Sequence, residues 1–247
     1  MRLDAPRLGP IDPSMPFLTP VVADRIWAHD RPVWFSGVRL RARTTVLRLD
    51  DGALLIHSPS PPTDELVAEL RALGPVRWLV VPNCFHHLGT PAAAATFPDA
   101  TVVAPASALP RNAALKVGLD LAEPRFAELV PELDVLPLRG IPFLDETVLF
   151  HRPTGTLLGA DMVLSAHARD HFTWRWAARI MGCYDRLRVP PDVRKEIADP
   201  IAAAASVRAM LERPVKRIVV AHADVVEGDC AERLAAAFRM DGMNPHA

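Results

Sequence analysis

A chain of 247 residues, half of them apolar, has enough material for one large core and reads as one domain across residues 1–247. Its formal net charge of −1 gives no general basic field for nucleic acid or an anionic membrane, so neither is expected as a partner. Cys84, Cys183 and Cys230 are odd in number and far apart, which argues against a disulfide framework and for a reduced, cytoplasmic setting.

Residues 1–32 read as an N-terminal extension. Pro6, Pro10, Pro13 and Pro16 break them and Asp4 adds a charge, so a signal peptide is not expected. Strands are expected at 33–35, 44–49 and 54–57, with Asp50-Asp51-Gly52 as the turn between the last two. A proline-stopped loop spans 58–62. Thr63 then suits a helix N-cap and Asp64 and Glu65 its first turn. Leu66, Leu70 and Leu73 line one helical face, and Gly74-Pro75 ends it. The apolar run at 77–81 predicts a buried strand, far short of the ~20 residues of a membrane span. A histidine-rich loop follows at 82–89. Pro91 opens a short alanine-rich helix, 101–104 is a strand, and 105–132 fits a broken helix.

Three more strands are expected at 135–138, 147–150 and 156–159, with a turn at 153–155 and Asp161 just past the third. Helices at 172–181 and 194–211 fall in a stretch, 165–213, that reads as a helical insertion or lid. A strand at 217–221 runs into His222. A last helix at 230–240 carries Ala231, Leu234, Ala235 and Phe238 on one face. Strands first, then alternation, then strands and helices again predict two mixed sheets with helices on both outer faces, an α/β four-layer αββα sandwich. No glycine-rich phosphate loop follows a predicted strand, which weakens nucleotide-binding readings.

Three polar points sit directly after predicted strands: His86-His87, Asp161 and His222. Loops at strand ends are where a rigid scaffold presents ligands. One histidine there is usually just a hydrogen-bonded polar side chain. Three histidines and a carboxylate together make a chemically sensible set for zinc, and also for iron or manganese.

The runs VRWLVVPNCFHHLGT, TGTLLGADM and RIVVAHADVV resemble the metallo-β-lactamase superfamily, whose pattern is strand-HxHxDH, then strand-GD, then strand-GH. The fuller pattern LDDGALLIHSP…VVPNCFHHL…FPDATVVAP…GADM…VAHAD is similar to the DUF4336 branch, over roughly residues 33–240. The resemblance implies a metallo-β-lactamase-like αββα fold with a metal at one sheet edge. Setting His87 on the last motif histidine puts His86 on the motif aspartate and Cys84 and Pro82 on the first two histidines. Gly140-Ile141 stands where a further histidine belongs. The first metal position is therefore lost, and the second keeps His86, His87, Asp161 and His222. One divalent transition metal is implied, zinc foremost, with iron or manganese as alternatives.

The motif aspartate is the usual base, so its loss makes Asp161 the candidate catalytic residue. His57 falls where the family often has an aspartate supporting a ligand. Asn83 is a candidate to orient a ligand or an oxyanion. Cys84 is either a soft contact to metal or substrate or a small buried apolar residue. His151 is expected to be exposed, and His167 and His171 to flank a loop over the site. Phe172, Trp176 and Ile180 at helical spacing, among Arg175, Arg179, Arg186 and Arg188, suit a hydrophobic lid or a homodimer face. The implied function is metal-dependent hydrolysis of a small-molecule ester, lactone, thioester or amide. The alternative is a non-catalytic binding or scaffold protein that keeps only the fold.

Overall fold

The computed structural model describes residues 7–8 and 17–239. The first sheet contains β1 (Arg7–Leu8), β2 (Thr19–Val22), β3 (Ile26–Phe35), β4 (Val38–Arg48), β5 (Leu54–His57), β6 (Val76–Val80), β7 (Thr101–Ala104) and β8 (Leu119–Asp120). Its order is β1-β3-β4-β5-β6-β7-β8, with β2 also paired to β3. β3 and β4 form a long antiparallel hairpin, from Ile26 opposite Leu47 to Phe35 opposite Val38. β5 to β8 run parallel, with α1 (Asp64–Leu73) and α2 (Thr90–Thr96) in the first two crossovers. α3 (Pro124–Leu129) leads to the second sheet. That sheet holds β9 (Leu133–Pro137), β10 (Thr147–His151), β11 (Thr156–Leu158), β12 (Arg217–Val219) and β13 (Val226–Glu227), in the order β13-β12-β11-β10-β9. Between β11 and β12 the chain makes α4 (Phe172–Met181), α5 (Pro191–Lys195) and α6 (Pro200–Leu211). α7 (Cys230–Phe238) closes it.

Period-two alternation builds the layers. Leu47, Leu55, Trp78 and Val80 of the first sheet face Leu133, Leu149, Leu158 and Val219 of the second, forming the core between them. Their sequence neighbours Val46, Leu54, Ile56 and Leu79 point outward onto Leu66, Leu70 and Ala93 of α1 and α2. On the far side, Val148, Phe150, Leu157 and Ile218 meet Ala203, Val207 and Met210 of α6 and Leu234 and Phe238 of α7. These are the four layers the element order predicts. No described helix is long and apolar enough to cross a membrane.

Several elements differ from expectation. The strands expected at 33–35 and 44–49 extend to Ile26–Phe35 and Val38–Arg48. Their charged residues hide the alternation, but cross-strand pairing satisfies Asp30 and Arg43. Asp30 lies opposite Arg43 and accepts both arms of its guanidinium at 2.8 Å. The stretch before residue 33, read as an extension, thus supplies β2 and buried Ile26 and Trp27 to the first sheet. The broken helix at 105–132 is a 3₁₀ turn, Ala106–Arg111, followed by β8 and α3. The helix expected at 194–211 is split in two: Pro200 lacks a donor, and Asp199 caps α6 by accepting from Ile201 and Ala202 N–H at 3.0 Å. The helix expected at 230–240 ends at Phe238, and Met240 lies outside the described residues.

Gly89 permits a close approach that the site depends on. A Cβ there would sit 2.3 Å from the Pro59 carbonyl oxygen and 2.5 Å from Ser60 C, so the 82–89 loop can lie against residues 58–61 only without a side chain. Gly89→Ala is expected to cost about 2–3 kcal/mol in urea unfolding, because rigid backbone must move. Gly37→Ala, with nothing within 4 Å of the new Cβ, should cost about 1 kcal/mol from its positive φ alone. Equal losses in the two variants would refute the close-approach argument.

Candidate metal centre

The loops that follow β6, β11 and β12 meet at one edge of the sandwich. Backbone hydrogen bonds stitch the sheets together there. Thr147 N–H donates to the Pro82 carbonyl at 2.8 Å, Cys84 N–H to Leu144 at 3.2 Å, and Arg43 N–H to Ala221 at 3.1 Å. These bonds fix the relative position of loops belonging to different sheets.

His86, Asp161 and His222 converge there, with one ligand atom from each within 4.8 Å of the others. His86 Nε2 and His222 Nε2 each lie 3.2 Å from Asp161 Oδ1. The two rings are tilted, with centroids 5.4 Å apart. Their far nitrogens are already engaged. His222 Nδ1 donates to the Arg41 carbonyl at 2.5 Å, and His86 Nδ1 is hydrogen-bonded to Ser58 Oγ at 2.6 Å. A nitrogen donating to a carbonyl holds the ring proton, so in the neutral ring His222 Nε2 presents a lone pair. That lone pair faces a carboxylate oxygen, acceptor against acceptor. A proton or a cation between them removes the conflict. Two imidazoles fixed from behind and one carboxylate are also the donor types of a catalytic zinc site, which keeps a position free. The residues present fit such a metal.

Asp161 is held from the other side. Its Oδ2 accepts from Asn83 Nδ2 at 2.9 Å. The same amide nitrogen donates to Glu146 Oε2 at 3.0 Å. Asn83 Oδ1 accepts from Phe85 and His86 N–H at 2.9 and 3.0 Å, which sets the turn that aims His86. Glu146 is buried and accepts from Ala160 N–H at 2.7 Å and Asp161 N–H at 2.8 Å. Burial and then the Asp161 charge push the Glu146 carboxyl up, against the hydrogen bonds it accepts. Burial would also raise Asp161, but the charge of His86, with both imidazole edges against the carboxylate, holds it well below the usual carboxylate range. For His86, burial acts to lower the pKa, and the Asp161 charge and hydrogen bond outweigh it and raise it.

Not every candidate reaches this point. His87 is buried, with its Nδ1 3.2 Å from Asn112 Nδ2, and is outside the converging group. His57 is buried at the end of β5 beside the centre, but its Nε2 has no hydrogen-bond partner, and the supporting bond to His86 comes from Ser58 instead. Cys84 donates its thiol to the Phe143 carbonyl at 3.2 Å, and burial pushes it up to about 11. It therefore packs the loop as a neutral thiol. His151, expected to be exposed, is fully buried between Thr154 and Glu132. His167 bonds Ser165 and Asp185, and His171 caps α4. Trp174 of α4 is buried and donates to the Ser165 carbonyl at 3.3 Å, whereas Trp176 is exposed. Ser58 and Glu146 were not anticipated. A serine after a strand and an acid before one read as turn residues until the facing loop is in place.

Residues 23–170 match the family described as "Domain of unknown function (DUF4336)". The chain belongs to the DUF4336 family. His86 and Asp161 lie inside the matched segment and His222 beyond it. No curated protein sequence matches the chain. Solved metallo-β-lactamases are similar in fold. The metallo-β-lactamase from Pontibacter korlensis has a TM-score of 0.60 and 14% identity, covering 92% of this chain and 95% of that one. FIM-1 from Pseudomonas aeruginosa, in its mono-zinc form, has 0.60 and 14%, covering 89% and 94%. The Erythrobacter litoralis enzyme, with β-mercaptoethanol in its active site, has 0.65 and 15%, covering 89% and 94%. At these identities the likeness establishes the fold. This DUF4336 chain is an αββα sandwich of the metallo-β-lactamase type.

The buried His57 gives stability a pH dependence. Burial, and secondarily the His86 charge, push its imidazole down to about 3. The unfolded chain titrates near 6.5, so it binds more protons than the native state between these values. Stability is present above pH 6.5 and is lost as pH falls toward 3. From pH 7 to pH 5, His57→Gln is expected to lose about 2 kcal/mol less than the parent, measured by urea unfolding in chelator. The same loss in both proteins would show that His57 is not held neutral by the fold.

Proposed function

We propose that this chain is a mononuclear metal-dependent hydrolase of small carbonyl substrates: esters, lactones, thioesters or amides. The observation that carries the reading is the convergence of His86, Asp161 and His222 with the outer nitrogens of both histidines already engaged. His86, Asp161 and His222 would hold one divalent transition metal, with zinc foremost on the donor types. The bound metal would lower the pKa of a water and polarise the carbonyl.

The chain's own groups then have distinct tasks. Ser58 and the Arg41 carbonyl orient the two imidazoles. Asn83 and Glu146 fix the Asp161 carboxylate and the loop that carries it. Asp161 is the carboxylate at the reaction point and the group placed to take a proton from the water. Glu146 already accepts three hydrogen bonds, so it positions the loop and does not exchange protons. Pro82 and Cys84, where the superfamily motif has histidines, leave no second set of ligands on this loop.

One observation favours the non-catalytic alternative. Protonated His86 donates to Asp161 and neutralises it, so the triad is also satisfied as an internal ion pair. Elemental analysis of protein purified without added metal separates the two readings. The hydrolase reading expects about one equivalent of transition metal per chain. Protein that takes up no metal, even when zinc is supplied at pH 7.5, is the non-catalytic protein.

His86→Ala, His222→Ala and Asp161→Asn should each weaken zinc binding by more than about 100-fold, beyond the effect of losing a supporting residue. His87→Ala should leave the affinity within a few-fold of the parent. Affinity should also fall as pH drops, beginning above the ordinary imidazole value of about 6.5, because His86, whose pKa the Asp161 charge raises, must lose its proton to ligate. A fall in affinity in His87→Ala equal to that in His86→Ala would overturn the ligand assignment. With the zinc-loaded protein, a panel of small esters, lactones and thioesters should show turnover that Asp161→Asn abolishes. Turnover that survives Asp161→Asn would remove Asp161 from the reaction.

A further inference from the structure

α4 is apolar on two opposite sides. Its inner side, Trp174 and Ala178, is buried in a small cluster with Leu164, Ala166 and Cys183. Its outer side carries Phe172, Trp176 and Ile180, which are 68%, 69% and 68% exposed. They stand one turn apart and make a line about 12 Å long. The patch continues past the helix. The Phe172 ring lies 4.5 Å from His171, and His171 meets Trp34 edge-on at 5.7 Å. Trp34 is exposed near the tip of the β3–β4 hairpin, and Arg39 N–H of that hairpin bonds Thr173 Oγ1 of α4 at 3.0 Å. Monomer surfaces seldom leave so contiguous a set of large apolar side chains in water.

The charge carried by α4 itself has one sign. α4 contains Arg175 and Arg179 and no acid. Arg175 is hydrogen-bonded to the Ala168 carbonyl and Arg179 to the Arg175 carbonyl, and Arg179 stacks on Tyr184 at 3.7 Å. Their bonds go to backbone and a ring, so both positive charges stay available along the edge of the stripe. A net charge of −1 for the whole chain conceals this local segregation.

We propose that α4 and the tip of the β3–β4 hairpin dock this chain onto an anionic lipid surface. Aromatic and aliphatic side chains on one line, flanked by arginines, are the composition of a helix that lies in the membrane interface. The rings enter the headgroup boundary, and the long arginine side chains reach anionic headgroups from beside them. A second copy suits this face less well. Twofold pairing through the stripe would bring Arg175 and Arg179 toward their counterparts, and α4 offers no acid to receive them. The inner side of α4, opposite the docked face, is tied to the loop that carries His222, since Trp174 bonds Ser165 and Ser165 N–H donates to the His222 carbonyl at 3.1 Å. The proposal stands whether or not the chain is a hydrolase.

The test is co-sedimentation of the full chain with phosphatidylcholine vesicles, with and without phosphatidylserine, at low and high salt. Binding is expected to the phosphatidylserine vesicles, with a blue shift of tryptophan emission, and to weaken at high salt. The triple variant Phe172→Ser, Trp176→Ser, Ile180→Ser should partition at least about ten-fold more weakly. Its thermal melting should match the parent, because all three side chains are exposed. Arg175→Gln with Arg179→Gln should bring binding down to the level seen with phosphatidylcholine alone. Failure of the parent to bind phosphatidylserine vesicles overturns the proposal, as does equal binding by the triple variant. So does a preference-free binding to both vesicle types. A parent that sediments as a dimer without lipid, and a triple variant that is a monomer, would assign the face to a second copy instead.

Discussion

Everything at the candidate centre depends on keeping the half-buried Asp161 carboxylate charged. A carboxylate removed from water is costly unless it gains hydrogen bonds or opposite charge. Asp161 has both: the Asn83 amide on one oxygen and two imidazole edges facing the other. The buried acid beside it, Glu146, adds repulsion, which three donors aimed at Glu146 offset. The Asn83 amide nitrogen sits between the two carboxylates and donates to both. A site with this much negative charge in one place favours a cation, which is the physical link between the fold and the metal reading.

The sandwich makes that arrangement possible because the three converging residues come from both sheets. His86 belongs to the first, and Asp161 and His222 belong to the second. Neither sheet alone can bring them together. The bonds from Thr147 to Pro82, Cys84 to Leu144 and Arg43 to Ala221 cross from one sheet to the other at this edge. The core of Leu47, Leu55 and Trp78 against Leu149, Leu158 and Val219 holds the sheets at a fixed separation. Site geometry is therefore a property of sheet packing, and loss of packing and loss of the site are one event.

The two tryptophans of α4 show how one helix serves two environments. Trp174 stays inside, with its indole nitrogen satisfied by a backbone carbonyl, and anchors the helix next to His222. Trp176 lies on the other side of the helix and is mostly exposed. A helix that buries one apolar line and exposes another is stable as a monomer and still available to an apolar partner. The arginines between the two lines keep it soluble while the outer line waits.

Composition, periodicity and local motifs were enough for the αββα layering, because alternating strands and capped helices carry their signals within a few residues. Leu66, Leu70 and the Thr63 cap were readable as they stand in the structure. His86, Asp161 and His222 were readable too, since each follows an apolar strand. Other features needed the folded chain. In the charged β3–β4 hairpin Asp30 and Arg43, thirteen residues apart, satisfy each other only once the strands pair. His86 joins the converging group while His87 meets Asn112, twenty-five residues on, a contact that spacing does not encode. Ser58 and Glu146 became supports only when a distant loop brought N–H groups and an imidazole to them. Sequence by itself determined which elements form and where polar groups can appear, because those are short-range consequences of propensity and pattern. Tertiary structure decided which polar groups share a site, because burial and hydrogen-bond satisfaction depend on residues far apart in the chain.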